Sequence, residues 1–179
     1  MDKPDDKDLV RRTLNGERRA YESLVGRYEK PVYNAAFRML NNQEDARDVT
    51  QTVFLKVYEN LGRYDPKYKF FSWIYRIAVN ESINFLNQRN KTEELAREPV
   101  ASTAGPDDET DSDLRHQRIQ TALMTIKPEY RTVIVLKHFL EMNYVEIGTV
   151  LEIPEKTVKS RLYSGRQLLK NALRESRLN

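Results

Sequence analysis

The sequence contains no cysteine and only two histidines, His116 and His138. Disulfide bonds, thiolate metal sites and cysteine nucleophiles are therefore excluded. The two histidines fall in separate predicted helices, and the chain has no glycine-rich motif of the kind that cradles phosphates in nucleotide-using enzymes. We therefore expect a protein that is not an enzyme and that uses no metal or other cofactor, and we assign no catalytic residue.

Long apolar runs are also missing. No stretch approaches the roughly 18–20 apolar residues that a membrane-spanning helix needs, and the first eight residues are polar and acidic, unlike a signal peptide. Charged residues make up 32% of the 179 residues, whereas aromatic residues, at 9%, argue against general disorder. The sequence thus predicts a cytoplasmic protein with modest hydrophobic cores and no membrane insertion.

Charge is unevenly distributed along the chain. Residues 1–91 carry 17 Lys and Arg against 13 Asp and Glu, a net charge of +4. Residues 92–113 carry 1 against 8, a net −7, and residues 114–179 carry 12 against 6, a net +6. The basic segments suit a polyanionic partner, although a solvated surface explains them equally well. The acidic segment has two prolines and little apolar periodicity, so we predict a flexible linker between two domains.

Apolar residues recur every three to four positions on both sides of this linker, and no segment shows the sustained alternation of a strand. In the first domain, Pro31 is expected to bend or restart a helix, and Ser72 is expected to open the last helix. In the second domain, Pro128 suits the first turn of a helix. The prediction is an all-α chain, with a helical bundle followed by a domain of four shorter helices.

Residues 143–169 have the pattern of a helix-turn-helix. Asn143 followed by Glu146 resembles a capping box for the first helix, and Glu152-Ile153-Pro154 ends that helix. The longer helix that follows has an outer face of basic and hydroxyl side chains, which suit DNA phosphates and base edges in the major groove. A helical hairpin with an ordinary charged face is the alternative. The residues assigned to DNA contact are Lys156, Thr157, Lys159, Ser160, Arg161, Tyr163 and Arg166.

A second nucleic-acid surface is predicted at the loop 64–71 and the helix after it. Lysines are interleaved there with aromatic residues, and two asparagines follow one helical turn apart. Basic side chains can follow a phosphate backbone, aromatic rings can stack on bases, and amides can bond base edges. The aromatic rings could instead belong to the core, an alternative that is stronger for Trp73 than for Phe70 or Phe71. The residues assigned to this surface are Lys67, Tyr68, Lys69, Phe70, Arg76, Asn80 and Asn84.

Three segments carry a resemblance to a known family: YVEIGTVLEIPEKTVKSRLYSGRQLL, EDARDVTQTVFLKVYENL and FFSWIYRIAVNESINFLNQRNK. The first resembles region four of the extracytoplasmic-function (ECF) sigma factors of the sigma-70 family. The second resembles the polymerase-binding helix of their region two, and the third resembles the promoter-melting helix that follows it. The segments stand in the family's order and spacing. The chain departs from the family in three places: Glu152 replaces a usual Gly, Gly148 replaces a usual Ala, and Thr52 replaces a common acidic residue.

The resemblance implies a sigma factor that binds core RNA polymerase and directs promoter-specific initiation, with a stress or envelope-type regulon. Region two would span residues 1–91, with the linker at 92–113 and region four at 114–179. The recognition helix would read the minus-thirty-five element, with Lys159, Ser160 and Tyr163 on bases. The aromatic and basic loop and its helix would capture the minus-ten non-template strand.

The resemblance also implies protein partners. Region two would bind the polymerase β′ coiled coil and region four the β flap, and an anti-sigma factor would clamp both domains. Without the resemblance, the acidic residues at the polymerase-binding face would be explained by the dipole of their helix. A stand-alone helix-turn-helix regulator, which would bind DNA tightly without polymerase, is the alternative function. The residues assigned to polymerase are Asp45, Asp48, Gln51 and Phe54.

Overall fold

The computed structural model describes residues 4–96 and 111–176, and within these two ranges the secondary structure is helical, with no strand. The all-α prediction is thereby confirmed. The predicted linker lies largely outside the described residues, although the helices on either side each extend a few residues into it. The helices are α1 (Asp6–Leu14), α2 (Arg18–Leu40), α3 (Gln43–Asn60), a 3₁₀ turn (Leu61–Arg63), α4 (Phe70–Ala96), α5 (Asp111–Met124), α6 (Pro128–Ile134) with a π-helical extension (Val135–Phe139), α7 (Tyr144–Leu151) and α8 (Glu155–Glu175).

Helices α1 to α4 form the first domain around the apolar faces of α2, α3 and α4. The helix does not restart at Pro31, because α2 runs through it from Arg18 to Leu40. Proline removes one hydrogen bond of the helix ladder, but Leu24 and Val32 on either side of it are fully buried. Their packing keeps the helix continuous.

The start of α4 also differs from the expectation. The helix begins at Phe70, two residues before Ser72. Phe70 is only 2% exposed and packs its ring against those of Tyr28, Tyr64 and Trp73. Since this packing requires the chain to turn into the core at Phe70, the first helical turn forms there and Ser72 is buried within it.

Helices α5 to α8 form the second domain. Pro128 occupies the first turn of α6, as predicted. The capping box at the start of α7 is also confirmed: Asn143 accepts a hydrogen bond from the backbone of Glu146, and the Glu146 carboxylate accepts one from the backbone of Asn143, both at 2.9 Å. These local hydrogen bonds satisfy helix N–H groups that would otherwise lack a partner.

The two domains pack directly against each other. Helix α2 contacts α5, α6 and the π-helical extension, and α4 contacts α7. At the first of these contacts, Gln120 donates hydrogen bonds to the carbonyls of Phe37 and Arg38, and Arg131 donates one to the carbonyl of Met39. The second domain therefore donates hydrogen bonds to carbonyls in the last turn of α2, where the helix ladder leaves acceptors free. The Phe37 carbonyl also accepts from the backbone N–H of Asn41 at 2.8 Å.

Candidate nucleic-acid and polymerase interfaces

Helix α8 has one buried face and one open face. Val158 and Leu162 are at most 2% exposed and anchor the helix to its domain. The predicted DNA-contacting residues lie on the other side, where Tyr163 is 69% exposed. Of the seven, Thr157 and Arg161 are partly buried, and Lys156, Lys159, Ser160, Tyr163 and Arg166 are exposed. The arrangement presents cations, a hydroxyl and a phenol along one helix surface, which is suited to a DNA groove.

Two of these side chains have partners within the domain. Lys159 pairs with Glu155 one turn earlier at 2.6 Å, and this hydrogen bond raises the pKa of Lys159. Arg166 donates from Nε to Nε2 of His138 at 3.2 Å. Burial lowers the pKa of His138, as do the charges of Arg166 and Lys137. His138 therefore acts as a neutral acceptor beside α8, a role that sequence periodicity could not reveal.

The corner between α7 and α8 contains two departures from the family pattern. Glu152 adopts a left-handed conformation with φ of 54°, where glycine would be unstrained. The following residue, Ile153, donates its backbone N–H to the carbonyl of Gly148 at 3.1 Å. A Cβ atom at Gly148 would lie 2.9 Å from the Ile153 carbonyl oxygen. Gly148 is thus required by close backbone contact at this corner.

At the loop before α4, most of the predicted strand-binding residues are accessible. Tyr68 is 58% exposed, and its carbonyl accepts a 2.6 Å hydrogen bond from the Tyr64 hydroxyl, which holds the loop. Lys67 and Lys69 are exposed, as are Asn80 and Asn84 along α4.

Phe70 does not belong to this accessible surface. It was expected to contact nucleic acid, but its ring is buried in the core, as described above. Trp73 also packs against the core and is only partly exposed. Among the residues predicted for this surface, Tyr68 is consequently the one with an exposed aromatic ring.

Two members of this surface, Arg76 and the exposed Lys69, contact the second domain. Arg76 pairs with Glu152 at 2.8 Å and donates a second hydrogen bond to the Thr149 carbonyl at 2.7 Å. Lys69 pairs with Glu146 at 2.8 Å. A cavity of about 460 Å³ adjoins this contact and is lined by Arg76, Thr149 and Glu152 among others. Two predicted nucleic-acid contacts are thus occupied by groups of the helix-turn-helix.

Glu146 is the better buried of the two carboxylates. Its side chain is 18% exposed, against 70% for Glu152. Burial alone would raise the pKa of Glu146, but the hydrogen bonds from Lys69 and from the backbone of Asn143, with nearby positive charge, lower it. An ionised Glu146 therefore serves both the α7 capping box and the contact with Lys69.

The predicted polymerase-binding residues on α3 do not share one face. Asp48 and Gln51 are exposed, whereas Asp45 is partly buried and lies 3.6 Å from Arg89. Burial raises the pKa of Asp45, although Arg89 opposes this. Phe54 is only 9% exposed and packs in the core. Nine residues of α-helix turn through about 900°, so Phe54 lies on the side of α3 opposite Asp45.

The exposed apolar residues of α3 are instead Leu55 and Tyr58, at 59% and 62% exposure. They continue the face of Asp48 and Gln51 at alternating steps of three and four residues, which keeps side chains on one side of a helix. This spacing was available in the sequence and distinguishes Leu55 from Phe54. A surface of Asp48, Gln51, Leu55 and Tyr58 combines polar groups with an apolar centre, as protein interfaces commonly do.

Two helical domains, the second containing a helix-turn-helix whose longer helix has an exposed basic face, are typical of a class of DNA-binding proteins. Comparison with known proteins identifies the family. Residues 24–92 match the family model Sigma-70 region 2, and residues 116–169 match Sigma-70, region 4. The ECF RNA polymerase sigma factor SigW of Bacillus subtilis is 34% identical over 94% of this chain and 97% of its own length. RNA polymerase sigma-H factor of Pseudomonas aeruginosa is 28% identical, with coverage of 94% and 93%.

Solved structures agree with these matches. CnrH, in complex with the cytosolic domain of CnrY, is 26% identical with a TM-score of 0.73, covering 95% of this chain and 97% of that chain. The sigma factor RpoE of Bartonella quintana, in complex with the anti-sigma factor NepR, shares the fold with a TM-score of 0.74 at 16% identity, covering 86% of this chain and 96% of that chain.

The chain belongs to the ECF sigma factors of the sigma-70 family, and its function is to direct transcription initiation. The resemblance identified from the three sequence segments is thereby confirmed. A stand-alone regulator is not favoured, because the first domain matches region 2 of sigma factors rather than an unrelated module. Among the described residues, no helix is long and apolar enough to span a bilayer.

Proposed function

We propose that this sigma factor uses three separate surfaces: α3 for core polymerase, α8 for the minus-thirty-five element, and the loop before α4 with α4 itself for the minus-ten strand. The observation that carries the proposal is that each surface places exposed polar or aromatic side chains over a buried apolar face. Exposed side chains can bind a partner without unfolding the domain that positions them.

On α8, the proposal separates base contacts from phosphate contacts. Lys159, Ser160 and Tyr163 would read base edges, whereas Lys156, Arg161 and Arg166 would bind phosphates. Loss of a base contact should cost about 1–3 kcal/mol at one position of the site and relax specificity there. Loss of a phosphate contact should weaken binding to all sequences and reduce its salt dependence.

On the minus-ten surface, Asn80 and Asn84 would contact unpaired bases, and Tyr68 would stack on one. Lys67, Lys69 and Arg76 would bind the strand backbone. Extruding a base from a duplex costs a few kcal/mol, which stacking and hydrogen bonds on this surface must offset. The exposure of the two asparagines and of the Tyr68 ring supports this assignment.

For core polymerase, we propose that Asp48, Gln51, Leu55 and Tyr58 of α3 bind the coiled coil of the β′ subunit. The apolar side chains would anchor the contact and the polar ones would meet basic residues of the partner. The second domain would contact the β flap. Since polymerase acts on the chromosome, the proposed site of action is the bacterial cytoplasm.

We also propose regulation by an anti-sigma factor that contacts both domains. The support is indirect: RpoE was solved with the anti-sigma factor NepR, and CnrH with the cytosolic domain of CnrY. A pull-down with this chain as bait from cells in which the sigma factor is silent should recover such a protein. Recovery of core polymerase alone would oppose the proposal.

The decisive test of the promoter-binding surfaces is transcription reconstituted from purified chain, bacterial core polymerase and a promoter library. Transcripts should begin at discrete sites only when the chain is present. Alignment of the DNA sequences upstream of those sites should then show both promoter elements. Asn80→Ala should then lower initiation at those promoters, and Lys159→Ala should relax one minus-thirty-five position. Lys170→Ala, at an exposed position farther along α8, is the matched control. Tight site-specific DNA binding by the chain alone, without binding to core, would refute the proposal.

A further inference from the structure

Two helices hold the ammonium group of Lys159. Within α8, the ammonium lies 2.6 Å from the carboxylate of Glu155, one helical turn earlier. From α7, the ring of Tyr144 has its centre 5.4 Å from the same nitrogen, which is within the range of a cation–π contact. The second contact joins the two helices of the helix-turn-helix, so the position of the ammonium depends on how α7 packs against α8.

The ring of Tyr144 is itself held in a defined place. Tyr144 is the first residue of α7, and the capping box of Asn143 and Glu146 fixes the backbone at that point. On the side of the π-helical extension, the ammonium of Lys137 lies 5.1 Å from the centre of the same ring and donates a hydrogen bond to the Met142 carbonyl at 3.1 Å. The ring is partly buried. It therefore offers Lys159 a fixed partner rather than a mobile one.

The restrained ammonium lies on the open side of α8. Glu155, Lys159 and Tyr163 follow one another at steps of four residues, which keeps them on one side of the helix, and all three are exposed. A lysine ammonium has three N–H donors. Glu155 needs only one of them, so the others remain available for the O6 and N7 acceptors of a guanine in the major groove.

A lysine without these partners would read a base less strictly. Its side chain is a flexible four-carbon stem with a compact charge, which can reach a phosphate as easily as a base edge. Phosphate contacts carry no direct sequence information, whereas contacts to base edges do. The fraction of Lys159 side chains that point to the base therefore sets the discrimination at that position.

We propose that Tyr144 and Glu155 are positioning residues for Lys159, which keep its ammonium directed at one guanine of the minus-thirty-five element. The inference rests on the base-reading role proposed above for Lys159. Neither Tyr144 nor Glu155 needs to contact DNA. Glu155 also has a favourable place in the first turn of α8, where its charge suits the helix dipole. That stabilisation does not require Lys159, whereas positioning does, and this difference can be measured.

The expected effects are modest because the ion pair is exposed. The side chains of Lys159 and Glu155 are 56% and 44% exposed. An exposed ion pair one turn apart on a helix shifts an equilibrium about twofold, and an exposed cation–π contact shifts it about two- to fivefold. Glu155→Gln should therefore lower the preference for the favoured base about twofold, and Tyr144→Leu should lower it about two- to fivefold. Tyr144→Phe keeps the ring and should match the wild type.

The first measurement uses holoenzyme assembled from the full-length chain and core polymerase. It transcribes an equimolar set of promoters that differ only at the position that Lys159→Ala relaxes, and transcript counts give the preference for each base. Glu155→Gln and Tyr144→Leu are each made alone and combined with Lys159→Ala. In the combined variants, neither should change the preference further. Glu175→Gln is the matched control, because it removes the same charge from an exposed position in the last turn of α8, and it should behave like the wild type.

The second measurement tests the contact without DNA. In proton NMR spectra of the free chain, the aromatic ring should shift the Hε resonances of Lys159 upfield, and Lys159→Ala identifies these resonances by their loss. The upfield shift should persist in Tyr144→Phe and disappear in Tyr144→Leu. A wild-type chain without this shift would overturn the arrangement from which the inference starts.

The two measurements distinguish the ways in which the inference can fail. Equal losses of preference with and without Lys159 would show that Tyr144 and Glu155 act only on the stability of the domain, which overturns the positioning role. If Lys159→Ala relaxes a position but neither single variant does, base reading stands and the inference alone is wrong. If the upfield shift is present but Lys159→Ala relaxes no position, the base-reading role of Lys159 fails and the positioning role fails with it.

Discussion

Replacing Arg131 with methionine should strongly destabilise the protein. Arg131 is 5% exposed, and burial lowers the pKa of its guanidinium to about 10, assisted by the charge of Arg89. The guanidinium nevertheless remains a cation at neutral pH. Its hydrogen bonds join the end of α5 to the end of α2. The acceptors are the backbone carbonyls of Leu123 at 2.9 Å, Met124 at 3.0 Å, Ile126 at 3.0 Å and Met39 at 2.5 Å.

The loss of stability in Arg131→Met depends on how many of these four carbonyls water can reach once the guanidinium is gone. A cavity of about 490 Å³ is lined by Met124 and Ile126, so water can replace the lost donors there. Leu123 and Met39 do not line it. The Leu123 carbonyl still accepts a hydrogen bond from the backbone N–H of Ile126 at 3.2 Å, so the Met39 carbonyl loses the most. A buried acceptor left without a donor costs about 1–3 kcal/mol. We therefore expect Arg131→Met to lower the free energy of unfolding by about 2 kcal/mol rather than by the sum over four bonds.

Urea denaturation followed by circular dichroism at 222 nm would measure this loss. With a slope of about 2 kcal/mol/M, the midpoint should fall by roughly 1 M. Arg131→Lys is the matched control, because it keeps the cation and some donors but not the planar fork, and it should lose about half as much. A loss below about 1 kcal/mol for Arg131→Met, or equal losses for both variants, would refute this account of the domain contact.

Three further predictions concern single sites. Gly148→Ala should lower the free energy of unfolding in urea titrations, because the new Cβ would lie 2.9 Å from the Ile153 carbonyl oxygen. Gly26→Ala is the control in a helix with open space around the position. It should raise the free energy of unfolding by about 0.5–1 kcal/mol. Leu55→Ala should weaken binding to core polymerase about fivefold or more in competition assays, with no fall in melting temperature, since Leu55 is 59% exposed. Burial and neighbouring cations lower the pKa of His138 in the folded chain below 6.5. The unfolded chain therefore binds the proton more tightly than the folded chain does. The free energy of unfolding should consequently fall as the pH drops through 6.5. His138→Gln should show a smaller loss of urea midpoint between pH 7.5 and 5.5; an unchanged loss would contradict the assignment.

Features governed by neighbouring residues were accessible from the sequence. The capping box of Asn143 and Glu146 and the first-turn position of Pro128 were predicted correctly, because both depend on hydrogen bonds or backbone angles within one helical turn. The possibility of a positive φ was likewise open to inference at Glu152, where the family pattern has glycine. Such features depend little on the rest of the fold.

Predictions that required the direction of a side chain were less reliable. Phe54 and Phe70 were assigned to binding surfaces but are buried, and Leu55 was overlooked but is exposed. A helical period shows which residues share a face, yet whether that face meets solvent depends on the helices packed beside it. Pro31 is a similar case, because packing on both sides preserves a helix that local preference would interrupt.

The sequence by itself therefore determined the all-helical class, two basic segments joined by an acidic one, and membership in the sigma-factor family. These follow from composition, local periodicity and motif order. Only the tertiary structure decided that Arg76 and Lys69 face Glu152 and Glu146 across the domain contact. Those partners are more than seventy residues apart along the chain. No local pattern encodes such a pairing, which exists only because α2 and α4 together provide a surface that the second domain can dock against.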